Sequence, residues 1–575
     1  MADESSTAPL GRMNRRQMIG TATAVIGGAV AGITDVFGQE KPKASAARGA
    51  TGSAATGPNL NPPVVQLKAG KLRGLREGKT FSFLGVQYAV ADRFELPKPV
   101  QPWDTVKNAQ VWGPVCPSPE QTTVSSDELV FPHRYFVANE HCQYLNVWTQ
   151  NLSPAMKKPV MVWMHGGGFT NGSSMESYAY DGRSLSEFGD VVVVSVNHRL
   201  NILGTLDLSA YGKQYANSRQ TGMADLVAAL QWVQDNISAF GGDPTNVMIF
   251  GQSGGGGKVV RLMHMPEAKG LFHRVSAQSG GNNNYRGSDV AANIKAQQTI
   301  AAHVLKQLNL SASDIDKLKT VPYYTLITAG TAALRSAAQE LGAGNLGWNP
   351  IADDDTVMRE FCDWADDIPL IAGSVFSEMQ GTLTRGDGRK NEWTEKEVDD
   401  HLTEAFHDKK ADVVAEFKQM FPHKKVQDVL YYAGGSRPGV KNLLNRKLEK
   451  TKTPVYNYVF AWEYPINGGT TAFHCSELAF CFHALGVPQI KTATGGGPAA
   501  LALQDKVAQA WVNFAKTGNP SQPALEWKPY TKEGEQAMVF DTVSQSVPLR
   551  DDKLVSLLPA PGGPGRGGRG GRGGA

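Results

Sequence analysis

The chain predicts an α/β fold: a mostly parallel, doubly wound central sheet with helices on both faces. Three observations carry this. The run "DVVVVSVNHRL" (190–200) sets four valines in succession between polar ends, as a strand buried on both faces requires. In "GMADLVAALQWVQDNISAF" (222–240), Leu226, Leu230, Val233 and Ile237 recur at helical spacing and make one apolar face. Strand-like and helix-like segments then alternate from about residue 62 to 555.

The elements follow in order. "VVQLKAGKLRGL" and "FSFLGVQYAV" read as β-hairpin material ahead of the main sheet. "KPVMVWMHGGGF" (158–169) is an apolar strand running into a glycine-rich turn. After the 222–240 helix, "GGDPTNVMIFG" gives a turn and the short strand Val247–Phe250. "RVSAQSG" (274–280), "IPLIAGSVFSE" (368–378) and "PVYNYVFAWEY" (454–464) read as further strands. Residues 285–345 and 394–450 read as helical cap or insert regions. The helix at 500–520 is stopped by Gly518 and Pro520.

Composition narrows the function classes. A net charge of +3 over 575 residues argues against a dedicated nucleic-acid surface on the folded body. Five cysteines without a C-x-x-C make neither a disulfide scaffold nor a zinc site, so no metal is expected. Both ends read as non-globular. Arg15 and Arg16 precede the weakly apolar run 18–33, and small residues follow at Ala44–Ala46. Residues 1–46 are therefore expected to be a twin-arginine signal peptide, with 47–61 a flexible linker. The expected partner is the twin-arginine export machinery and the destination periplasmic or secreted, with no stable membrane insertion after processing. The body then spans 62–555, and the Gly/Pro/Arg-rich stretch 556–575 reads as a disordered tail.

The chemistry centres on "IFGQSGGGGKVV" (249–260), where Ser253 lies in G-x-S-x-G after a short strand. Glycines on both sides permit the sharp turn that exposes a nucleophilic serine, and a helix beginning there favours negative charge. Upstream, His165–Phe169 ("HGGGF") follows another strand. Its glycines can aim N–H groups into a cavity, so Gly167, Gly168 and Gly254 are candidate oxyanion donors. For the acid, Glu378 and the run Asp353–Asp355 are open from residue type and strand ends alone. For the base, twelve histidines compete.

These segments, with "HCQYLNVWTQ" (141–150), "VNHRL" and "WVNFAKTGNPSQ" followed by "WKPY" (527–530), resemble the type-B carboxylesterase and cholinesterase family in the family's order. The resemblance implies the α/β-hydrolase fold and ester hydrolysis by a Ser-His-Glu triad through an acyl-enzyme, with no cofactor. The substrate would be a small to medium ester, including xenobiotic or natural-product esters. A second reading is a cholinesterase-like binding protein without catalysis, a type that lacks the serine or the histidine. The family's glycine five residues before the acid matches Gly373 and Glu378, although Met379 stands where glycine is usual. Its histidine before E-L-x-F-x-F matches His474 in "AFHCSELAFCF". Cys116 and Cys142 match the family's early disulfide. His165 and His198 are implied to be structural, and Cys362, Cys475 and Cys481 read as small buried residues. Gln252 replaces a frequent glutamate. The four glycines Gly254–Gly257, costly in a helix, fit either close backbone approach or a turn that merely tolerates them.

Overall fold

Continuous apolar runs become strands covered on both faces. The computed structural model describes residues 62–559, apart from 122–123, 125–127, 129 and 281–284. The expected signal, linker and nearly all of the tail lie outside the described residues. Eleven strands form the main sheet: β1 (Leu75–Glu77), β2 (Thr80–Gln87), β3 (Tyr144–Thr149), β4 (Lys158–Met164), β5 (Val192–Val196), β6 (Gly242–Gln252), β7 (Arg274–Gln278), β8 (Leu370–Val375), β9 (Val455–Phe460), β10 (Gln536–Phe540) and β11 (Gln545–Pro548). Their spatial order is β11-β10-β9-β8-β7-β6-β4-β5-β3-β2-β1.

The seven strands from β10 to β5 are parallel, and the sheet turns antiparallel at both edges. The two early segments divide differently from expectation. Val64–Gln66 pairs with Lys71–Arg73 in a small separate sheet, whereas "FSFLGVQ" enters the main sheet as β2. Both still feed one apolar cluster: Phe83 and Val86 of β2 are buried there with Val65 and Leu72 of the small sheet.

Alternate residues of each strand feed opposite faces. Val160, Val162 and Met164 of β4 join one apolar cluster with Val192, Val194 and Val196 of β5. Met161 and Trp163 join the other with Val193 and Phe250. Helix α1 (Thr221–Asn236) covers the first face; Leu226, Leu230, Val233 and the adjoining Ile237 are fully buried there. Each such side chain contributes about 1.5–3 kcal/mol on burial. Propensity differences of a few tenths per residue do not compete, so the apolar stripe decides where α1 lies. Helix α2 (Gly254–Leu262) lies on the same face, and α8 (Pro498–Thr517) covers the other with Leu503, Val507, Trp511 and Phe514.

The inserts are helical as expected. α3 (Val290–Gln307) and α4 (Tyr323–Glu340) share a third apolar cluster with Ile202, Leu203 and Leu206. α5 (Glu395–Phe406), α6 (Lys410–Met420) and α7 (Arg437–Leu448) fill the stretch between β8 and β9. Among the described residues, no helix is long and apolar enough to cross a membrane.

Strand order positions the site. The chain runs from β4 outward to β5, then returns to place β6 on the other side of β4. Such a reversal leaves a crevice at the carboxyl ends of the strands, where open α/β sheets bind ligands. Register aligns Gly251 of β6 with Met164 of β4. The loop after β4 and the turn after β6 therefore emerge side by side.

Candidate active site

Ser253 occupies the turn between β6 and α2 at φ 56°, ψ −121°, a strained conformation for a side-chain-bearing residue. Two hydrogen bonds hold it there: Ser253 N–H donates to Gln278 O (2.8 Å), and Ser253 O accepts from Gly257 N–H (2.9 Å). The serine is half-buried.

The glycine run behind it has a steric cause. A Cβ on Gly254 would overlap the Gly168 backbone, and one on Gly255 would overlap the Met164 carbonyl oxygen. One on Gly256 would lie 2.8 Å from Gln278 O and 2.9 Å from Gly280 Cα. The close-approach reading of the run is therefore the one the structure bears out at these three positions. Without side chains, α2 starts directly against β4, β7 and the loop after β4.

That loop brings Gly167 (φ 78°) and Gly168 (φ 63°) opposite Gly254 in conformations that favour glycine. Gly167 and Gly168 are exposed, and Gly254 is half-buried. None of these three N–H groups has a hydrogen-bond partner among the described residues. Their peptide carbonyls are all engaged on the far side. Gly166 O lies 2.9 Å from His165 Nδ1, Gly167 O accepts from Asn171 N–H (3.1 Å), and Ser253 O accepts from Gly257. A trans peptide points its N–H away from its carbonyl, so each donor is turned towards open space.

Glu378 and His474 come from neighbouring strand ends. β8 and β9 are in register at Val375 and Phe460. Beyond them, Glu378 bridges Phe473, and His474 N–H donates to Glu378 O at 3.1 Å. The side chains meet as well: His474 Nδ1 lies 2.5 Å from Glu378 Oε2, while Glu378 Oε1 accepts from Val375 N–H (3.1 Å). With the carboxylate ionised, Nδ1 carries the proton and Nε2 is left as an acceptor. Met379 itself has no positive φ, so its position needs no glycine, and its side chain is exposed.

The rival acids are committed elsewhere. Asp353 closes a turn onto the N–H groups of Asp355, Thr356 and Val357, and Asp354 pairs with Arg359 at 2.8 Å. His483 stacks on Phe188 and pairs with Asp505. His165 and His198 are fully buried with ring centroids 5.3 Å apart. Burial, reinforced by the nearby Lys258 charge, holds both imidazoles well below the usual histidine range.

Gln252 explains two oddities together. Its Nε2 lies 3.1 Å from His474 Nε2, and its Oε1 accepts from the Cys475 thiol at 3.2 Å. A neutral amide thus joins the histidine to the cysteine beside it, where a glutamate would place a charge. The Cys116–Cys142 bridge implied by the resemblance is not formed in this structure. Cys116 Sγ accepts from Leu200 N–H (3.2 Å), and both sulfurs sit in the third apolar cluster. Burial and a hydrogen bond with Cys116 push the Cys142 thiol well up from its usual range. Among the described residues, no group of three or more His, Cys, Asp or Glu could hold a metal.

The Carboxylesterase family model matches residues 61–554. The chain belongs to the carboxylesterase family. It is 33% identical over 490 residues to a para-nitrobenzyl esterase of Bacillus subtilis, covering 83% of this chain and 95% of that one. It is 30% identical to a phenmedipham hydrolase of Pseudarthrobacter oxydans, covering 83% and 94%. A solved esterase of Clostridium hathewayi, described as able to hydrolyze aliphatic aromatic polyesters, superposes with a TM-score of 0.79 at 40% identity, covering 87% and 98%. The fold is the α/β-hydrolase fold, and the protein is a carboxylic-ester hydrolase.

Motif reading of this carboxylesterase missed the groups beneath the site. Glu477, three residues after His474, is fully buried. One of its oxygens receives Gln278 Nε2 (3.3 Å) and Tyr458 OH (3.4 Å), and the other has no partner. Burial and then the Glu378 charge raise its carboxyl from 4.5 to about 7. The signal for it was the E of "HCSEL", but nothing in spacing says that a carboxyl there is enclosed.

A stability prediction follows. The folded Glu477 holds its proton more tightly than the unfolded chain does. Its contribution is thus complete below about pH 4.5 and is lost as pH rises through about 7. Glu477→Gln should remove a decline on the order of 3 kcal/mol across that window. Urea unfolding of both proteins between about pH 5 and about pH 8 measures it; parallel pH profiles would rule the account out.

Proposed function

We propose that Ser253, His474 and Glu378 act as the catalytic triad, with the N–H groups of Gly167, Gly168 and Gly254 as the oxyanion hole. The observation that carries this reading is the His474–Glu378 pair at 2.5 Å, set beside a strained serine turn and three unpaired N–H groups. Ser253 Oγ attacks the ester carbonyl as its proton passes to His474 Nε2, which exchanges the Gln252 amide for the serine hydroxyl. The tetrahedral oxyanion accepts hydrogen bonds from the three glycines. Collapse breaks the C–O bond, and the imidazolium returns its proton to the departing alkoxide, leaving the acyl group on Ser253. Water then attacks the acyl-enzyme, with His474 as base, and the acid leaves. Glu378 orients the imidazole and stabilises its charged form without taking the proton.

The substrate is a small to medium ester, with xenobiotic or natural-product esters favoured. The names of the relatives support aryl and benzyl esters first, and the Clostridium neighbour adds aliphatic aromatic polyesters to the panel worth testing. The Arg15-Arg16 pair supports twin-arginine export, read by whether the processed chain reaches the periplasmic fraction.

A fluorophosphonate probe followed by peptide mass spectrometry tests the site. The expected result is a single adduct on the peptide containing Ser253. No adduct, or one on another serine, would refute the assignment.

A further inference from the structure

Lys258 is the one charged residue in the run that follows the serine, and it is fully buried. It stands one turn into α2, after the four glycines. A helical side chain leans back towards the helix N-terminus, here towards the elbow. Its Nζ donates to His165 O at 2.9 Å and to Gly166 O at 3.5 Å. It also lies 5.5 Å from the centre of the Phe169 ring. Both acceptors are backbone carbonyls of the loop that bears the candidate oxyanion donors.

We propose that Lys258 is a positioning residue of the oxyanion hole: clamped on the His165 and Gly166 carbonyls, its ammonium fixes the Gly166–Gly167 peptide and so aims and strengthens the Gly167 N–H. The inference rests on the triad and oxyanion reading above. Its physical basis is the peptide plane itself. Drawing Gly166 O towards Lys258 turns the Gly167 N–H the opposite way, into the crevice. A cation on the carbonyl also polarises the amide, which makes its N–H a stronger donor. His165 Nδ1, 2.9 Å from the same oxygen, adds a second grip. The glycine run lets the ammonium reach this far, because no side chain stands between α2 and the loop.

The surroundings set the range of the clamp, which needs the charged form and so is strongest below about pH 7. Charged and titratable groups acting on the ammonium are Glu176, Arg261 and Cys116, while Lys258 in turn acts on His165 and His198. Burial lowers the ammonium to about 7, with Glu176 opposing the fall and Arg261 adding to it. Such burial is costly for a residue with only packing to do.

The test is Lys258→Met, which keeps the length of the side chain and removes the ammonium. Active enzyme is counted by complete fluorophosphonate titration, so a misfolded fraction does not enter. The expected result is a fall in kcat of about tenfold or more, approaching the ~10²-fold loss typical of an oxyanion donor itself, with KM within about twofold. Affinity for a trifluoromethyl ketone, which adds to the serine and places an oxyanion in the hole, should fall by the same factor. Lys258→Gln, with a shorter donor, should recover part of the loss, and is the variant to read if Lys258→Met does not fold.

Unchanged kcat and ketone affinity in a folded variant would overturn the inference. So would a rise in KM alone, which would place Lys258 in substrate binding. Absence of Ser253 labelling in the wild-type protein would instead overturn the triad reading, so the two failures are separable.

Discussion

Ser253→Ala is expected to lower kcat on a p-nitrophenyl ester by about 10⁵- to 10⁶-fold, with His474→Ala close behind. The double variant should be little worse than either alone, because nucleophile and base act as one unit. Glu378→Gln should cost about 10⁴-fold, since the amide no longer fixes the proton on His474 Nδ1. The 2.5 Å contact between that nitrogen and Glu378 Oε2 is what the substitution disturbs. Thermal melts should stay close to wild type for Ser253→Ala, because two backbone bonds hold its strained backbone. Steady-state kinetics on purified protein provides the check. A Ser253→Ala variant that still turned over the ester would remove the nucleophile from this assignment.

Gly255→Ala is the second large effect, and its sign is the informative part. Within an ordinary helix the substitution would stabilise by about 1 kcal/mol. Here the new methyl would overlap the carbonyl oxygen of Met164, a backbone atom of the central strand β4. A strand paired on both sides cannot step back, so the cost should reach or exceed the roughly 1–3 kcal/mol usual for overpacking. Any relief must come from lifting α2 off the sheet, which moves Ser253 and Gly254 and so lowers kcat. Gly486→Ala, exposed with nothing within 4 Å of its Cβ, is the control and should be near neutral. Equal unfolding free energies for the two variants would contradict the steric account.

The parts of this molecule that were legible from sequence share a physical reason. β4, β5 and the second half of β6 are buried on both faces, so their apolar runs are long, and α1 advertises its single buried face. The edge strand β11 and its neighbour β10 were not read. They are short, and β11 carries only partly buried or exposed residues, so no pattern marks it. Ser253 and the glycines of the adjoining loop were legible because strained turns restrict residue type. Glu378 could be separated from Asp353–Asp355 only by resemblance, because strand register, not local sequence, brings it to His474. Lys258 and Glu477 stayed hidden because enclosure is a property of the folded neighbours. The cysteine pairing came from the family pattern alone, and these two sulfurs lie in an apolar cluster as thiols.

The order in which the chain supplies these groups has a consequence for synthesis. The serine turn, its oxyanion loop and the strand end that braces them all lie between β4 and β7. The acid arrives only after β8, and the imidazole only after β9, beyond two helical inserts. A nascent chain has therefore made the strands and turns of the cradle long before the proposed base, but α8, which covers one face of those strands, comes later still. Chains truncated before residue 474 would lack the proposed base as well as α8, and hydrolysis is expected only once the final third of the polypeptide has closed over the sheet.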